Sequence, residues 1–259
     1  SILNKINKVN FLQHIIIGLD KANQEQFNFA KKYFSSLNAS HSILWNDGPR
    51  LQKLQKELNQ KELANVEDGK GKNVWYCIGF AIARNSAEAV VFHDCDIKTY
   101  DESILIKLLY PLLNESMGYS FSKGYYSRYA DNKLNGRVTR LLVTPLVKSL
   151  MKLFGNNDYL DFIDAFRYPL AGEYALKKNL LKEIRIPSDW GLEVGILSEL
   201  QRNNSNKLCC QVDLADRYDH KHQDLSIDDK TKGLSRMTID ITKAFLRKMA
   251  TQGYIFTEE

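Results

Sequence analysis

The chain has 259 residues, 44% of them hydrophobic and 26% charged, which is ordinary for one large globular α/β domain. Its net charge of +5 comes from intermixed signs, which suits a small anionic ligand and is too diffuse for nucleic acid. The apolar stretches fall short of the ~20 residues that span a bilayer, and the four cysteines lack the paired spacing of a zinc site or disulfide framework.

These totals favour a cytoplasmic protein with no membrane association. No signal peptide is visible, and Ser1 in place of methionine leads us to expect that part of the native N-terminus is missing. The chain has no internal repeat and no low-complexity linker, so it is expected to form a single domain.

Apolar runs alternate with amphipathic segments through the first ~100 residues, which is the pattern of βαβ units. Strands are predicted at 15–19, 42–45 and 89–92, and helices at 24–37, 50–63 and 73–85. The alternation predicts a Rossmann-like, mostly parallel sheet flanked by helices, with residues 1–100 as its nucleotide-binding half.

The second half is less regular. A strand is predicted at 119–122, followed by a polar stretch over 123–135. A helix is predicted over 137–154, interrupted or bent at Pro145. The last predicted elements are a helix at 191–200, a strand at 208–212 and a helix at 234–249.

Asp94-Cys95-Asp96 follows the apolar run 89–92, which is typical of a buried parallel strand. The carboxyl end of such a strand is where open α/β sheets bind their ligands. Two carboxylates there can hold Mg²⁺ or Mn²⁺, and the metal can hold a diphosphate. Asp96 is the better candidate for direct ligation, while Asp94 could contact ribose or a metal-bound water. Alone, the motif is common and most copies are loop carboxylates that face water.

Two further segments could bind the same ligand. The loop 68–72 combines glycines and lysines before a helix and could place a lysine and backbone N–H groups against phosphate. His220 and His222 form a histidine pair that could add a third ligand to a cation held by Asp96. Without other support, the first is a solvated turn and the second a surface loop.

The segments 169–174 and 189–193 combine glycine, an aromatic ring and an acid, as a hexose pocket requires. Trp190 alone is typical of a core, and Glu193 alone of a first helical turn. The segment 135–140 offers two arginines, which suit a phosphate or carboxylate. Because arginines at a helix N-terminus oppose the helix dipole, their presence favours an anionic ligand.

Taken together, these segments resemble the glucosyl-3-phosphoglycerate synthase family, which are retaining glycosyltransferases of the GT-A fold. The resemblance covers most of the chain from Gly69 onward, and the order of the segments is more specific than any one of them. The matching segments are 69–71, 91–96, 123–125, 136–139, 169–175, 191–193 and 211–214.

The resemblance implies that residues 101–259 form the half that binds sugar and acceptor, including a C-terminal helical part. The nucleotide-sugar donor is expected to contact Lys70, Asp94, Cys95, Asp96 and Arg217. Glu193 and the backbone of Leu170 would hold the donor sugar, and with Asp96 they are the expected catalytic residues. The metal would be held by Asp96 and His220, and the acceptor phosphate by Gly136, Arg137 and Thr139.

Two departures from the family pattern matter. The family often has Pro-Ala-Leu-Asn-Glu after its first strand, whereas residues 20–23 of this chain are Asp-Lys-Ala-Asn. The family segment holds the nucleotide, and Leu19 and Asp20 are expected to hold it here. Asp47 is expected to contact the base. His220 lies one residue further from Arg217 than is usual, so His222 stays an alternative ligand.

The resulting expectation is a homodimeric enzyme that transfers glucose from UDP-glucose to the 2-hydroxyl of 3-phosphoglycerate, using Mg²⁺ or Mn²⁺. Within the same fold, the donor could be GDP-mannose, or the acceptor another small acid such as glycerate. A sugar-phosphate phosphatase would carry its Asp-x-Asp motif on the first strand, whereas three βα units precede it here. A non-catalytic nucleotide-sugar-binding module is a further alternative.

Overall fold

The computed structural model describes residues 2–63, 68–127, 129–130, 133–155, 157–203, 208–219 and 233–256. The first half alternates helices and strands as predicted. Its elements are α1 (Ile2–Ile6), β1 (Ile15–Leu19), α2 (Gln24–Phe34), β2 (His41–Trp45), α3 (Pro49–Gln60), α4 (Lys70–Arg84) and β3 (Ala89–Phe92).

The helix ends in this half follow local chemistry. Asn23 caps α2, accepting from the Gln26 backbone while the Gln26 side chain accepts from the Asn23 backbone, so two orphan N–H groups are satisfied. Pro49 opens α3, where its missing N–H is not needed. Asn85, in the left-handed conformation with φ 54°, ends α4.

The second half contains more elements than the sequence predicts. They are α5 (Ser103–Leu113), β4 (Phe121–Tyr126), β5 (Tyr129–Ala130), β6 (Lys133–Leu134), α6 (Thr144–Phe154), α7 (Asp158–Asp164), β7 (Tyr174–Lys177), α8 (Lys178–Glu183), α9 (Leu192–Asn203), β8 (Cys209–Ala215) and α10 (Gly233–Thr251). The long helix is interrupted, but before Pro145 rather than at it: a π-helical turn at Thr139–Val143 precedes Pro145, which lies in the first turn of α6.

The strands near the predicted site residues lie in two sheets. β1 and β2 pair in parallel, with Leu19 opposite Trp45. The other sheet has the order β3-β7-β4-β8, in which β7 is antiparallel to both of its neighbours and β4 and β8 are parallel.

The prediction that β3 is a buried parallel strand is wrong. Its described pairing is with β7 and is antiparallel, and its four residues are only half-buried. A short apolar run looks the same whichever way its partner points, so the sequence cannot tell the two arrangements apart. The antiparallel pairing places Phe92 opposite Tyr174, which brings the Asp94 loop next to the residues that precede β7.

Both hydrophobic core clusters draw on the two halves of the chain. One surrounds α9 and α10 and includes Ile78 of α4. The other joins Ile17 of β1 to α5 and to Leu214 of β8. None of the helices in the described ranges is long and apolar enough to cross a membrane.

Candidate active site

An open cleft with a cavity volume of about 140 Å³ lies where the ends of β3 and β4 meet α4, α9 and α10. It brings together side chains that are far apart in the sequence. Seven residues with predicted roles line it, namely Lys70, Asp94, Asp96, Gly136, Arg137, Leu170 and Glu193. The cleft is also lined by Trp190 and by Met237 and Ile241 of α10, which supply an apolar wall.

Lys70 connects two carboxylates in this cleft. Its Nζ lies 2.8 Å from Asp94 Oδ1 and 2.9 Å from Glu193 Oε1. Loss of hydration by itself would lower the pKa of Lys70, but the two carboxylates outweigh it and hold the pKa well above its ordinary value. Lys70 therefore stays cationic at neutral pH, and it ties the start of α4 to the Asp94 loop and to the first turn of α9.

Gly172 lies against this triad. A Cβ at Gly172 would come within 2.7 Å of Asp94 Oδ2 and 3.0 Å of Lys70 Nζ. The first contact is closer than real Cβ atoms show and the second is tighter than most, so a side chain at this position would push the Asp94 carboxylate or the Lys70 ammonium aside.

Two amides of the glycine-rich loop 68–72, which the sequence predicts could face a phosphate, bind backbone carbonyls instead. The Gly71 N–H donates to the Asp189 carbonyl at 3.2 Å, and the Lys72 N–H to the Ser188 carbonyl at 2.8 Å. A Cβ at Gly71 would overlap the Pro187 carbonyl oxygen. These glycines therefore allow close packing against the loop before α9, which positions Glu193. Lys72 pairs with Asp68 at 2.7 Å, so only Lys70 of this loop lines the cleft.

Asp96 is exposed and lines the cleft, and within the described residues it makes no hydrogen bond or ion pair. Such a carboxylate has oxygen lone pairs available for a hard divalent cation. Cys95, between the two acids, is exposed and does not line the cleft. Among the described residues, no group of three or more His, Cys, Asp or Glu could hold a metal ion.

The segment before the predicted histidine ligand is fastened to the loop after Asp96. The Lys98 N–H donates to the Asp219 carbonyl at 2.8 Å, and the Asp219 N–H donates to Thr99 Oγ1 at 3.0 Å. Lys98 Nζ also lies 3.1 Å from Asp219 Oδ2. The chain therefore leaves residue 219 beside the acidic loop. His220 and His222 themselves lie outside the described residues.

Glu173 is the acid of the segment 169–174, which the sequence predicts to be part of a hexose pocket, but it is buried and does not line the cleft. It is 1% exposed, and its Oε2 accepts from the Tyr126 hydroxyl at 2.7 Å. The Tyr126 ring stacks on Tyr218, with centroids 3.6 Å apart. Burial, and secondly the Asp94 carboxylate, raises the pKa of Glu173. Only the combination of an acid and two tyrosines, all at element ends, could have indicated this cluster.

The predicted acceptor residues divide into two groups. Gly136, with φ 79°, and the exposed Arg137 line the cleft just before the π-helical turn. Thr139 is buried, is not part of the cleft lining, and its hydroxyl has no partner in the described part of the chain. Arg217 is exposed and also lies outside the cleft lining.

The predicted base-binding residues meet at the carboxyl edge of β1 and β2, away from the cleft lining. Asn46 Nδ2 donates to Asp20 Oδ1 at 3.1 Å, and Asp47 Oδ2 accepts from the Ala22 N–H at 2.9 Å. Leu19 is the last residue of β1 and pairs with Trp45. The Asp47 carboxylate is thus already used in part to fix the loop after β1.

No family model matches the chain. Among curated proteins, it is 40% identical over 257 residues to the glucosyl-3-phosphoglycerate synthase of Persephonella marina. That alignment takes in 99% of this chain and 63% of the relative, so the chain spans less than two thirds of the relative's length. The chain is a homologue of the glucosyl-3-phosphoglycerate synthases. The resemblance predicted from the order of its motifs is confirmed.

Solved structures show the fold of this synthase homologue. The glucosyl-3-phosphoglycerate synthase of Mycobacterium tuberculosis, in complex with Mn²⁺, UDP-glucose and phosphoglyceric acid, matches with a TM-score of 0.63 and 23% identity, covering 92% of this chain and 68% of that one. The mannosyl-3-phosphoglycerate synthase of Rubrobacter xylanophilus matches with a TM-score of 0.71 and 22% identity, covering 100% and 71%. The predicted GT-A glycosyltransferase fold is thereby confirmed.

Proposed function

We propose that this protein transfers glucose from UDP-glucose to the 2-hydroxyl of 3-phosphoglycerate with retention of configuration. One observation carries the proposal: Lys70 bridges Asp94 and Glu193 in a cleft that Asp96 and Arg137 also line. A cation, acids suited to sugar hydroxyls and an arginine suited to phosphate therefore face one space. The names of the curated relatives support a glucosyl group and 3-phosphoglycerate, and the solved Mycobacterium tuberculosis synthase is a complex with UDP-glucose.

On the donor side, Lys70 would face the diphosphate and Glu193 would accept hydrogen bonds from glucose hydroxyls. Glu193 is 6% exposed and already oriented by Lys70, so it needs little ordering when the sugar binds. The backbone of Leu170 would contact the sugar from the opposite wall. Leu19, Asp20 and Asp47 would hold the nucleoside at the edge of β1 and β2, with Arg217 near the diphosphate.

A divalent cation, Mg²⁺ or Mn²⁺, would be held by Asp96 together with His220 or His222. The Asp96 carboxylate, which has no partner among the described residues, and the anchored segment around Asp219 fit that role. When bound, the cation would neutralise charge on the leaving diphosphate. Asp94 would act beside it through its ion pair with Lys70.

The transfer step needs no protein base. The bond between C1 of glucose and the diphosphate oxygen breaks as the acceptor 2-oxygen bonds to C1 from the same face. The hydroxyl proton passes to the leaving diphosphate oxygen, and UDP departs. Lys70 would stabilise the charge that develops on the diphosphate, so the chain contributes chiefly positioning and electrostatics.

On the acceptor side, Arg137 and the backbone at Gly136 would bind the phosphate of 3-phosphoglycerate. Arg137 and Glu193 both line the cleft, so the phosphate and sugar sites open into the same cavity. Thr139 would join them only if its buried hydroxyl turns outward when the phosphate binds. A mannosyl donor is the second candidate, because a mannosyl-3-phosphoglycerate synthase shares the fold.

The test is release of UDP from UDP-glucose with Mg²⁺ or Mn²⁺, with and without 3-phosphoglycerate. GDP-mannose serves as the matched donor control, and glycerate as the acceptor that lacks phosphate. Acceptor-dependent release of UDP is the expected result. Release of GDP alone would show that the donor is GDP-mannose and not UDP-glucose. Metal-dependent UDP binding without turnover would support a binding module instead.

A further inference from the structure

Lys123 is a buried ammonium next to the cleft. It lies on β4, is 1% exposed, and its Nζ donates to the Ala171 carbonyl at 2.6 Å. The Nζ also lies 5.3 Å from the centroid of the Tyr174 ring. An ammonium has three N–H donors, and within the described residues this carbonyl and this ring face are its direct partners.

The carbonyl that Lys123 holds belongs to the turn at 170–172. Leu170 and Gly172 on either side of Ala171 line the cleft, and Gly172 lies against the Lys70–Asp94 pair. The Ala171 N–H donates back to the Tyr168 carbonyl at 3.1 Å, which closes the turn. Lys123 thus contacts the buried side of this turn, at Ala171, which is itself fully buried.

Burial makes Lys123 an unfavourable choice for packing alone. Loss of hydration lowers the pKa of Lys123 to about 8, and the partly compensating carboxylates are Glu193 on α9, Glu173 before β7 and Asp94 after β3. Lys70 on α4 adds like-charge repulsion. An apolar side chain of the same length would fill this position without the desolvation penalty. A lysine at this position therefore stabilises the fold less than an apolar side chain of the same length would.

We propose that Lys123 is a positioning residue, whose bond to the Ala171 carbonyl fixes the turn that presents Leu170 and Gly172 to the donor sugar. The identity of that sugar rests on the proposed function, whereas the contact between Lys123 and the turn does not. Lys123 touches no substrate in this scheme and acts through the backbone of 170–172.

The test compares Lys123→Met with Lys107→Met. Lys107 on α5 makes the same type of bond, from Nζ to the Leu214 carbonyl at 2.9 Å, but is not part of the cleft lining. In K123M we expect amide hydrogen exchange over 168–173 to quicken by about tenfold, because the turn loses a hydrogen bond from a charged donor. We expect kcat to fall by about 100-fold, as for a misplaced reacting group.

A positioning role also predicts what K123M leaves intact. The metal-dependent affinity for UDP and the KM for 3-phosphoglycerate should stay near the wild-type values, and K107M should match wild type in exchange and kcat. Unchanged exchange over 168–173 would overturn the proposal, as would faster exchange with a wild-type kcat. A fall in UDP affinity equal to the fall in kcat would reassign Lys123 to the diphosphate site.

A second pair of variants applies if K123M fails to fold. Lys123→Arg keeps a cationic donor and should retain slow exchange, whereas the neutral and shorter Lys123→Gln should lose it; equal exchange in the two would overturn the proposal. If the wild-type protein turns over no donor at all, the proposed function fails. The exchange comparison still decides whether Lys123 fixes the turn.

Discussion

At the scale of single residues, charge placement explains most of the candidate site. Lys70 lies between Asp94 and Glu193, with each contact below 3 Å, so one cation orients a carboxylate on each side of the cleft. Asp96 has no such partner in the described part of the chain. The difference separates a carboxylate that the protein has already neutralised from one that is available to a metal.

Lys70→Met should lower kcat/KM for UDP-glucose by about 100-fold or more, because it leaves two partly buried carboxylates without their cation. Lys72→Met is the matched control, since Lys72 comes two residues later and pairs with the exposed Asp68 outside the cleft. Steady-state kinetics at several donor concentrations measure both. An equal loss in the two variants would show that the ion pairs in the cleft have no special role.

Arg137→Ala should raise the KM for 3-phosphoglycerate by about tenfold or more, because a charge-assisted bond to phosphate is lost. The donor KM should change little. Arg140→Ala, in the same segment but outside the cleft lining, is the control. A change confined to the donor KM would move Arg137 out of the acceptor site.

The buried Lys123 predicts a pH dependence of stability. Its pKa is lowered from 10.5 to about 8, so between these values the unfolded chain holds a proton that the native protein lacks. This group therefore makes the free energy of unfolding rise as pH increases from 8 to 10.5, by up to about 3 kcal/mol. Denaturant titrations at pH 7, 8, 9 and 10 should show this rise in wild type relative to K123M. A pH-independent difference between the two would contradict the assigned burial of the charge.

At the scale of elements, the glycines mark where backbone segments approach one another. Gly71 lets α4 pack on the loop before α9, and Gly172 lets the turn before β7 reach Asp94. The first contact sets the position of Glu193 and the second sets that of Leu170. Elements far apart in the sequence thus meet at the cleft through residues that lack a side chain.

Gly172→Ala should reduce kcat/KM for UDP-glucose by about tenfold or more, since its Cβ would displace the Asp94 carboxylate or the Lys70 ammonium. Gly79→Ala is the control, because nothing lies within 4 Å of a Cβ at this exposed position in α4. That change should leave activity unaltered and raise the free energy of unfolding by about 1 kcal/mol. Full activity in G172A would contradict the close approach.

The sequence predicts some elements well and misses others for physical reasons. The strand at 15–19 is found with its predicted bounds, and the interruption predicted at Pro145 is found just before it, as a π-helical turn. The polar run beginning at Lys123 is predicted to lie outside any strand, yet its first four residues complete β4. A lysine that is buried by tertiary contacts carries no local sign of its burial. Strand β7 was also not predicted, because its strand conformation depends on pairing with β3 on one side and β4 on the other.

The site shows the same limit. Asp94 and Asp96 follow a recognisable strand, so local pattern is enough to single them out. The contact between Lys70 and Glu193 joins residues 123 positions apart, and only the resemblance to a family indicated that both face the donor. The burial of Glu173 and the contact made by Lys123 were not predicted, because each depends on partners from other elements. The roles predicted for His220 and His222 stay predictions.

At the scale of the whole molecule, the cleft joins the two predicted halves of the domain. Lys70 and Asp94 come from residues 1–100, while Arg137, Leu170 and Glu193 come from residues 101–259, and all of them line one cavity. Transfer from a nucleotide sugar to a small acid requires this arrangement, because donor and acceptor must meet at one carbon atom. The predicted division of nucleotide-sugar binding and acceptor binding between the two halves stays a prediction.

The most direct measurement is the proton NMR spectrum of the product formed from UDP-glucose and 3-phosphoglycerate in the presence of Mn²⁺-free, Mg²⁺-loaded protein. The account predicts one new anomeric signal with the small coupling of an α-glucoside, matching the donor, together with an equal amount of UDP. A β-glucoside would contradict the same-face transfer, and free glucose as the only sugar product would contradict transfer to the acceptor altogether.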